Sequence, residues 1–109
     1  MGTGDYSFLD GLKVDPQSGA VTLLLVVDRP LEDGLTKPKV RSKMAAYRQW
    51  VASELPRKIP HAHPEHGVRL LILHPDAKNA LGASVLEQLI GYAKELRFEP
   101  IAQPLPQSK

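Results

Sequence analysis

The chain has 109 residues, of which 42% are hydrophobic and 24% charged, with a formal net charge of +2 and no cysteine. That length fits one domain with a single core, and the lack of cysteine excludes disulfides, thiol nucleophiles, thiolate zinc sites and iron–sulfur clusters. Charge is unevenly placed: seven of the fourteen basic residues (Lys37, Lys39, Arg41, Lys43, Arg48, Arg57, Lys58) fall between positions 37 and 58 against Glu54 alone, so this stretch carries +6 and the remainder −4.

In chain order, the first unit reads as a hairpin. Phe8 to Val14 leads into Asp15-Pro16-Gln17-Ser18-Gly19, where proline fixes one turn dihedral and glycine supplies a positive φ. Ala20 to Val27 follows as a nearly continuous apolar strand, a pattern of central strands covered on both faces. The prolines, Gly34 and acids of Asp28 to Pro38 mark a loop, with Thr36 placed to cap the next helix and Pro38 tolerated in its first turn. Val40, Met44, Tyr47, Val51 and Leu55 then recur at intervals of four, three, four and four, which predicts an amphipathic helix over 39–55.

Pro56 stops that helix, and the segment to Gly67, with two more prolines and three histidines, reads as an irregular connection. Val68 to Leu73 is a short buried strand. Ser84 with Glu87 makes a capping-box pattern, which starts a second helix between Leu81 and Ser84 that runs through Leu96. Phe98 to Ala102 is an open sixth element, since Pro100 lacks a ladder donor and fits only an edge strand or a bulge. Ordered structure is expected over about 5–102, with a loose tail at 103–109. The longest aliphatic run, Leu23 to Val27, is too short to span a bilayer, and no secretory signal is readable in the first thirty residues. No membrane association and a cytoplasmic location are therefore expected.

The basic segment invites a nucleic-acid reading. At about 100° per residue, Arg41 and Arg48 project from one border of the apolar stripe, while Lys39, Lys43 and Trp50 project from the other. Ser42, Ala45, Ala46, Gln49 and Ser53 occupy the outermost face. A helix that meets phosphates would gather its cations on that face, so the divided charge favours side chains lying along the rim of the core. The best version of a nucleic-acid site is Lys39, Lys43 and Trp50, extended by Arg57 and Lys58, with the indole stacking a base.

His61-Ala62-His63-Pro64-Glu65-His66 is the sharpest chemical motif. Its H-x-H-x-E-H spacing resembles the H-x-H-x-D-H of metallo-β-lactamase-like hydrolases, which implies a metal-dependent hydrolase at His61, His63 and His66. Here the motif precedes a strand instead of following one, has Glu65 for aspartate, and sits in a chain too short for that fold's other ligands. His74 reads as a solvated residue at a strand end. The glycines never assemble a phosphate-binding loop, and no serine occupies a nucleophile elbow. Asp10 interrupts an apolar strand and reads as a turn or bulge residue, with a buried functional carboxylate as the alternative. No catalytic residue and no cofactor are expected.

The pattern Phe8-Leu9-Asp10-Gly11-Leu12-Lys13-Val14-Asp15, then Gly19 and an apolar strand ending at Asp28, resembles the opening of an uncharacterised family of small bacterial α+β proteins. The resemblance runs on through Tyr47, the approach from Pro64 to Ile72 and the second helix, covering about 5–102. It implies an α+β fold and supplies no substrate, cofactor or site residue. Members of that family carry an acidic, tryptophan-containing loop after the second strand, from which Arg29-Pro30-Leu31-Glu32 departs.

The expected fold is thus an α+β two-layer sandwich of order ββαβα(β), with the hairpin and a third strand in one sheet and both helices packed on it. Helices on one face would leave Leu24, Val26, Leu71 and Leu73 on the other. An apolar patch of that kind rarely stays bare. A non-enzymatic module that forms a homodimer or docks on a protein partner, through the open face or an edge strand, is the leading functional expectation; nucleic-acid binding is the alternative and the hydrolase the third.

Overall fold

A computed structural model describes residues 9–105, with only the backbone of His66. Among these residues four strands form one sheet in the order β1-β2-β3-β4, namely Gly11–Val14, Val21–Val26, Val68–His74 and Phe98–Pro104. β1 runs antiparallel to β2 through the hairpin, whereas β2, β3 and β4 are mutually parallel. Parallel neighbours require crossovers, supplied by α1 (Thr36–Ser53) with the one-turn α2 (Leu55–Lys58), and by α3 (Ala80–Glu95). Both crossovers step in the same direction across the sheet. Since such connections are almost always right-handed, α1 and α3 lie on the same face, and the α+β two-layer arrangement follows.

The core fills the space between that face and the helices. Alternate residues of the inner strands point into it: Leu23 and Leu25 of β2, with Leu70 and Ile72 of β3, have no exposed surface. They meet the stripe of α1, in which Met44 and Tyr47 are fully buried, and Leu89 and Ala93 of α3. Each such aliphatic side chain contributes about 1.5–3 kcal/mol by leaving water. The period-four and period-three spacing in the sequence is this stripe.

Several local expectations need correction. α1 begins at Thr36, one residue after its N-cap Leu35, and the Thr36 hydroxyl donates to the Pro30 carbonyl (2.7 Å) instead of capping the helix. α3 starts at Ala80 and is capped by Asn79, whose side-chain oxygen accepts from the Gly82 N–H (3.1 Å). Ser84 is already inside the helix and its hydroxyl accepts from Gln88 (3.0 Å), so the Ser84–Glu87 capping box does not form. Pro56 falls within α2, where an N-terminal position needs no amide hydrogen, and a 3₁₀ turn spans Pro64–His66. His74 is not a solvated turn residue; it ends β3 and is buried at 7% exposure.

The open sixth element is a true strand, longer than the expected 98–102. β4 pairs with β3 from Phe98↔Val68 to Pro104↔His74, and the Leu105 N–H donates to the His74 carbonyl (2.7 Å). The tail expected to be loose from 103 is therefore paired as far as Leu105, and 106–109 lie outside the described residues, as do 5–8. The Leu105 bond also fixes which way each residue of β4 faces. Residues of the same parity (Glu99, Ile101, Gln103) turn their backbone groups to β3, so Phe98, Pro100, Ala102 and Pro104 turn theirs to the free edge. Both prolines thus occupy positions whose missing donor costs the ladder nothing.

Candidate functional site

The face opposite the helices carries the first candidate. Alternation along the strands and the registers between them set its side chains out in rows. One row is Lys13, Thr22, Arg69 and Glu99; the next is Gly11, Leu24, Leu71 and Ile101; the third continues with Val26, Leu73 and Gln103. Lys13, Arg69 and Glu99 are exposed, and the Arg69 guanidinium lies 3.9 Å from the Glu99 carboxylate. Leu24, Val26, Leu71 and Leu73 are half-buried and stand apart from the helix-side core, while Ile101 is 40% exposed. The four positions expected on the far side are there, joined by Ile101 from the strand that the sequence left open. Gly11 belongs among them too. A methyl group at Gly11 would sit 3.1 Å from Leu24, whose side chain leans across β1.

The second candidate is the basic helix. Lys37 donates to the Gln88 amide (2.7 Å), the Arg41 guanidinium stacks 4.5 Å above the Tyr92 ring, Lys43 pairs with Asp10 (2.8 Å), and Arg48 lies 5.8 Å from the Phe98 ring centre. These cations reach to both sides of the stripe and engage neighbouring elements, as rim residues do. Trp50 is in the core at 6% exposure, so its ring has no face to offer a base. Lys39 and Lys43 remain together near the start of α1. Arg57 and Lys58 lie on α2, beyond the far end of α1 at Ser53. The five residues of the nucleic-acid alternative therefore do not form one surface. The outer face of α1, from Ser42 to Ser53, is exposed as expected.

Lys39 and Lys43 instead line a cleft of about 190 Å³ at the carboxyl end of β2, with Asp10, Asp28, Arg29 and Thr36. This is the end of a parallel sheet at which ligands collect, yet the volume is below the 300 Å³ or more of ordinary ligand pockets. Three of its charged groups are engaged by the protein itself. The Asp10 carboxylate accepts from the Val26 N–H (2.7 Å) and from Lys43, and Arg29 pairs with Asp33 (3.6 Å). Tyr47, fully buried below, accepts from the Asp10 N–H (3.2 Å) and donates to the Leu24 carbonyl (3.1 Å). Burial pushes its phenol well above the ordinary value, and the adjacent Asp10 charge acts in the same direction. Asp10 takes over the ladder where β1 stops, which is a structural task for the carboxylate that interrupts the apolar strand.

The histidine connector packs on the hairpin. The His63 N–H donates to the Gly19 carbonyl (2.7 Å), and Ala62 is buried. Gly19, at φ +77°, lies so close that a β-carbon there would run into the His63 ring and come within 2.6 Å of the His61 carbonyl. His61 is exposed, and His63 contacts Glu65 (3.1 Å). Among the described residues no three His, Asp or Glu side chains converge on a metal-sized site; the His66 side chain lies outside them. Asp15 organises the same hairpin, its carboxylate accepting from the Gln17 and Ser18 N–H groups, and these bonds hold its pKa below the usual value.

A contact between distant segments also joins the β2–α1 loop to α3. The Glu32 carboxylate, in the β2–α1 loop, accepts from the Lys78 N–H (2.7 Å) just before α3, and this bond lowers its pKa. Gly82 makes room for it, since a β-carbon there would overlap the Glu32 carboxylate. Glycine inside a helix, with an acid in a distant loop, is a signal readable only in retrospect. No helix among the described residues is long and apolar enough to cross a membrane. Comparison of the chain with protein-family models, with curated proteins and with solved structures finds no match.

Proposed function

We propose that this protein is a non-enzymatic interaction module that self-associates through the uncovered face of its sheet. The observation that carries this reading is the apolar band Leu24, Leu71 and Ile101, widened by Val26 and Leu73, on the side of the sheet that no helix among the described residues covers. Leu35 and Leu81 are more exposed but stand singly at helix starts, whereas contiguous apolar side chains of this kind mark an interaction site. The face is favoured over the β4 edge, where Pro100 and Pro104 offer no donors to an added strand. The engaged cations of α1 and the buried Trp50 weigh against the nucleic-acid alternative.

Sedimentation equilibrium of the full chain tests the reading. Wild-type protein is expected to show a concentration-dependent dimer, and Ile101→Glu, at a position 40% exposed, is expected to remove it while circular dichroism shows the fold retained. A wild type that stays monomeric into the hundreds of micromolar, or a dimer indifferent to Ile101→Glu, overturns the proposal.

A further inference from the structure

Resting on that reading, the geometry points to one specific partner arrangement: we infer that a second copy docks face to face about a two-fold axis parallel to the strands, pairing Lys13 of each copy with Glu99 of the other. Two in-plane axes keep the strands of face-packed sheets aligned, and the rows of this face distinguish them. An axis parallel to the strands leaves each row facing itself and exchanges β1 with β4 and β2 with β3. Lys13 then lies opposite the partner's Glu99, Leu24 opposite the partner's Leu71, and Val26 opposite the partner's Leu73. Ile101, the most exposed apolar side chain of the face, lies opposite Gly11, which contributes no side chain of its own. An axis perpendicular to the strands would instead lay Arg69 on the partner's Leu73, Thr22 on its Val26 and Glu99 on its Gln103, with no acid of the partner opposite Lys13. That arrangement desolvates the Arg69 guanidinium against an aliphatic side chain with only its loose 3.9 Å contact to Glu99 to offset it, and gains no ion pair across the interface.

Aligned sheets pack about 10 Å apart with strands within about 30° of each other, a gap that a lysine and a glutamate reaching toward each other span. Glu99 already lies near Arg69 of its own chain, so the partner's Lys13 adds a second cation to one carboxylate; Lys13 in turn has Asp15 nearby on its own hairpin. An isologous contact of this kind repeats every pair twice. Four strands at 4.8 Å spacing and three rows along them give a face of roughly 400 Å² per copy. The total of roughly 800 Å² lies below the 1,200 Å² of standard stable interfaces, so a dissociation constant in the micromolar range is expected.

Charge exchange provides the test, again by sedimentation equilibrium on the full chain. Lys13→Glu places glutamate opposite glutamate at both contacts, and Glu99→Lys places lysine opposite lysine; each variant alone is expected to dimerise roughly tenfold more weakly than wild type. An equimolar mixture of the two restores opposite charges at both contacts in the heterodimer, so it is expected to recover the wild-type constant. Both positions are exposed, and unchanged thermal melting verifies that each variant folds. Single variants that dimerise like wild type, or a mixture that recovers nothing, overturn the axis while Ile101→Glu still reports on the face. A monomeric wild type overturns both.

Discussion

Replacing Asp10 by alanine isolates the side chain that ties the hairpin to α1. The carboxylate accepts from the Val26 N–H at 2.7 Å, and hydrogen bonds to an ionised acceptor contribute about 1.5–3 kcal/mol, the lower end applying at a partly solvated site. Its ion pair with Lys43 adds less. Both side chains are about a third exposed, so solvent screening leaves roughly 0.2–1 kcal/mol. Asp10→Ala should therefore cost about 2 kcal/mol, or roughly 10 °C of melting temperature for a domain of this size. Lys43→Met should cost under about 1 kcal/mol, because it leaves the Val26 bond intact. Tyr47→Phe strips the Leu24 carbonyl and the Asp10 N–H of the same phenol, a loss of about 1–3 kcal/mol, and the double variant with Asp10→Ala should fall short of the sum because the two share a network. Urea titration followed by circular dichroism measures all four. Lys43→Met as damaging as Asp10→Ala would show that charge, and not the backbone bond, dominates, and would refute this reasoning.

Gly82→Ala pushes a β-carbon into the Glu32 carboxylate and should displace it from the Lys78 N–H, a loss of about 1 kcal/mol that offsets alanine's helix propensity of similar size. The substitution should therefore be near neutral in wild type and stabilising in a Glu32→Ala background; the same effect in both backgrounds would contradict the contact. The lowered pKa of Glu32 gives stability that is complete above its ordinary value of 4.5 and fades as pH falls through the folded value, so Glu32→Gln should be less stable than wild type at neutral pH and converge with it in acid; a gap that widens below pH 4 refutes the sign. Arg97, which follows α3 at φ +68°, takes a conformation that glycine adopts freely, so Arg97→Gly should raise stability by about 0.5–1 kcal/mol in thermal melts, and a loss would show that its side chain matters more. Trp50 is the chain's one tryptophan, so fluorescence reports on the core. Emission should be blue-shifted and unchanged by single-stranded oligonucleotides at low salt; quenching by them would revive base stacking.

What the sequence made legible was whatever a periodicity or a turn residue encodes. The stripe from Val40 to Leu55 and the Asp15–Gly19 turn were readable because their causes are local. The far-side set Leu24, Val26, Leu71 and Leu73 followed from alternation alone, once both helices were assigned to one face. Pro100 was weighed correctly as an edge residue, yet the strand could not be affirmed, because its pairing with β3 is a property of two distant segments. Capping failed for a related reason: Thr36 and Ser84 are competent caps in isolation, but the Pro30 carbonyl and Asn79 were the partners and cap that the fold supplied. Trp50 was placed on a border by helical geometry, yet it belongs to the core, because what packs on that border is set by the tertiary fold and not by the helix alone. The Asp10 bond to Val26 and the Glu32 bond to Lys78 join residues 16 and 46 positions apart, and no spacing rule reaches that far.

The outward prolines of β4 bear on what kind of assembly this chain can build. A bare strand edge is a template that each added copy renews, so contacts made there propagate without limit, whereas a face that pairs about a two-fold axis is used up by one partner. If the sheet face pairs as proposed, the prolines at two of the four outward positions of β4 leave that edge a poor template for further copies, so growth from it into fibres is disfavoured.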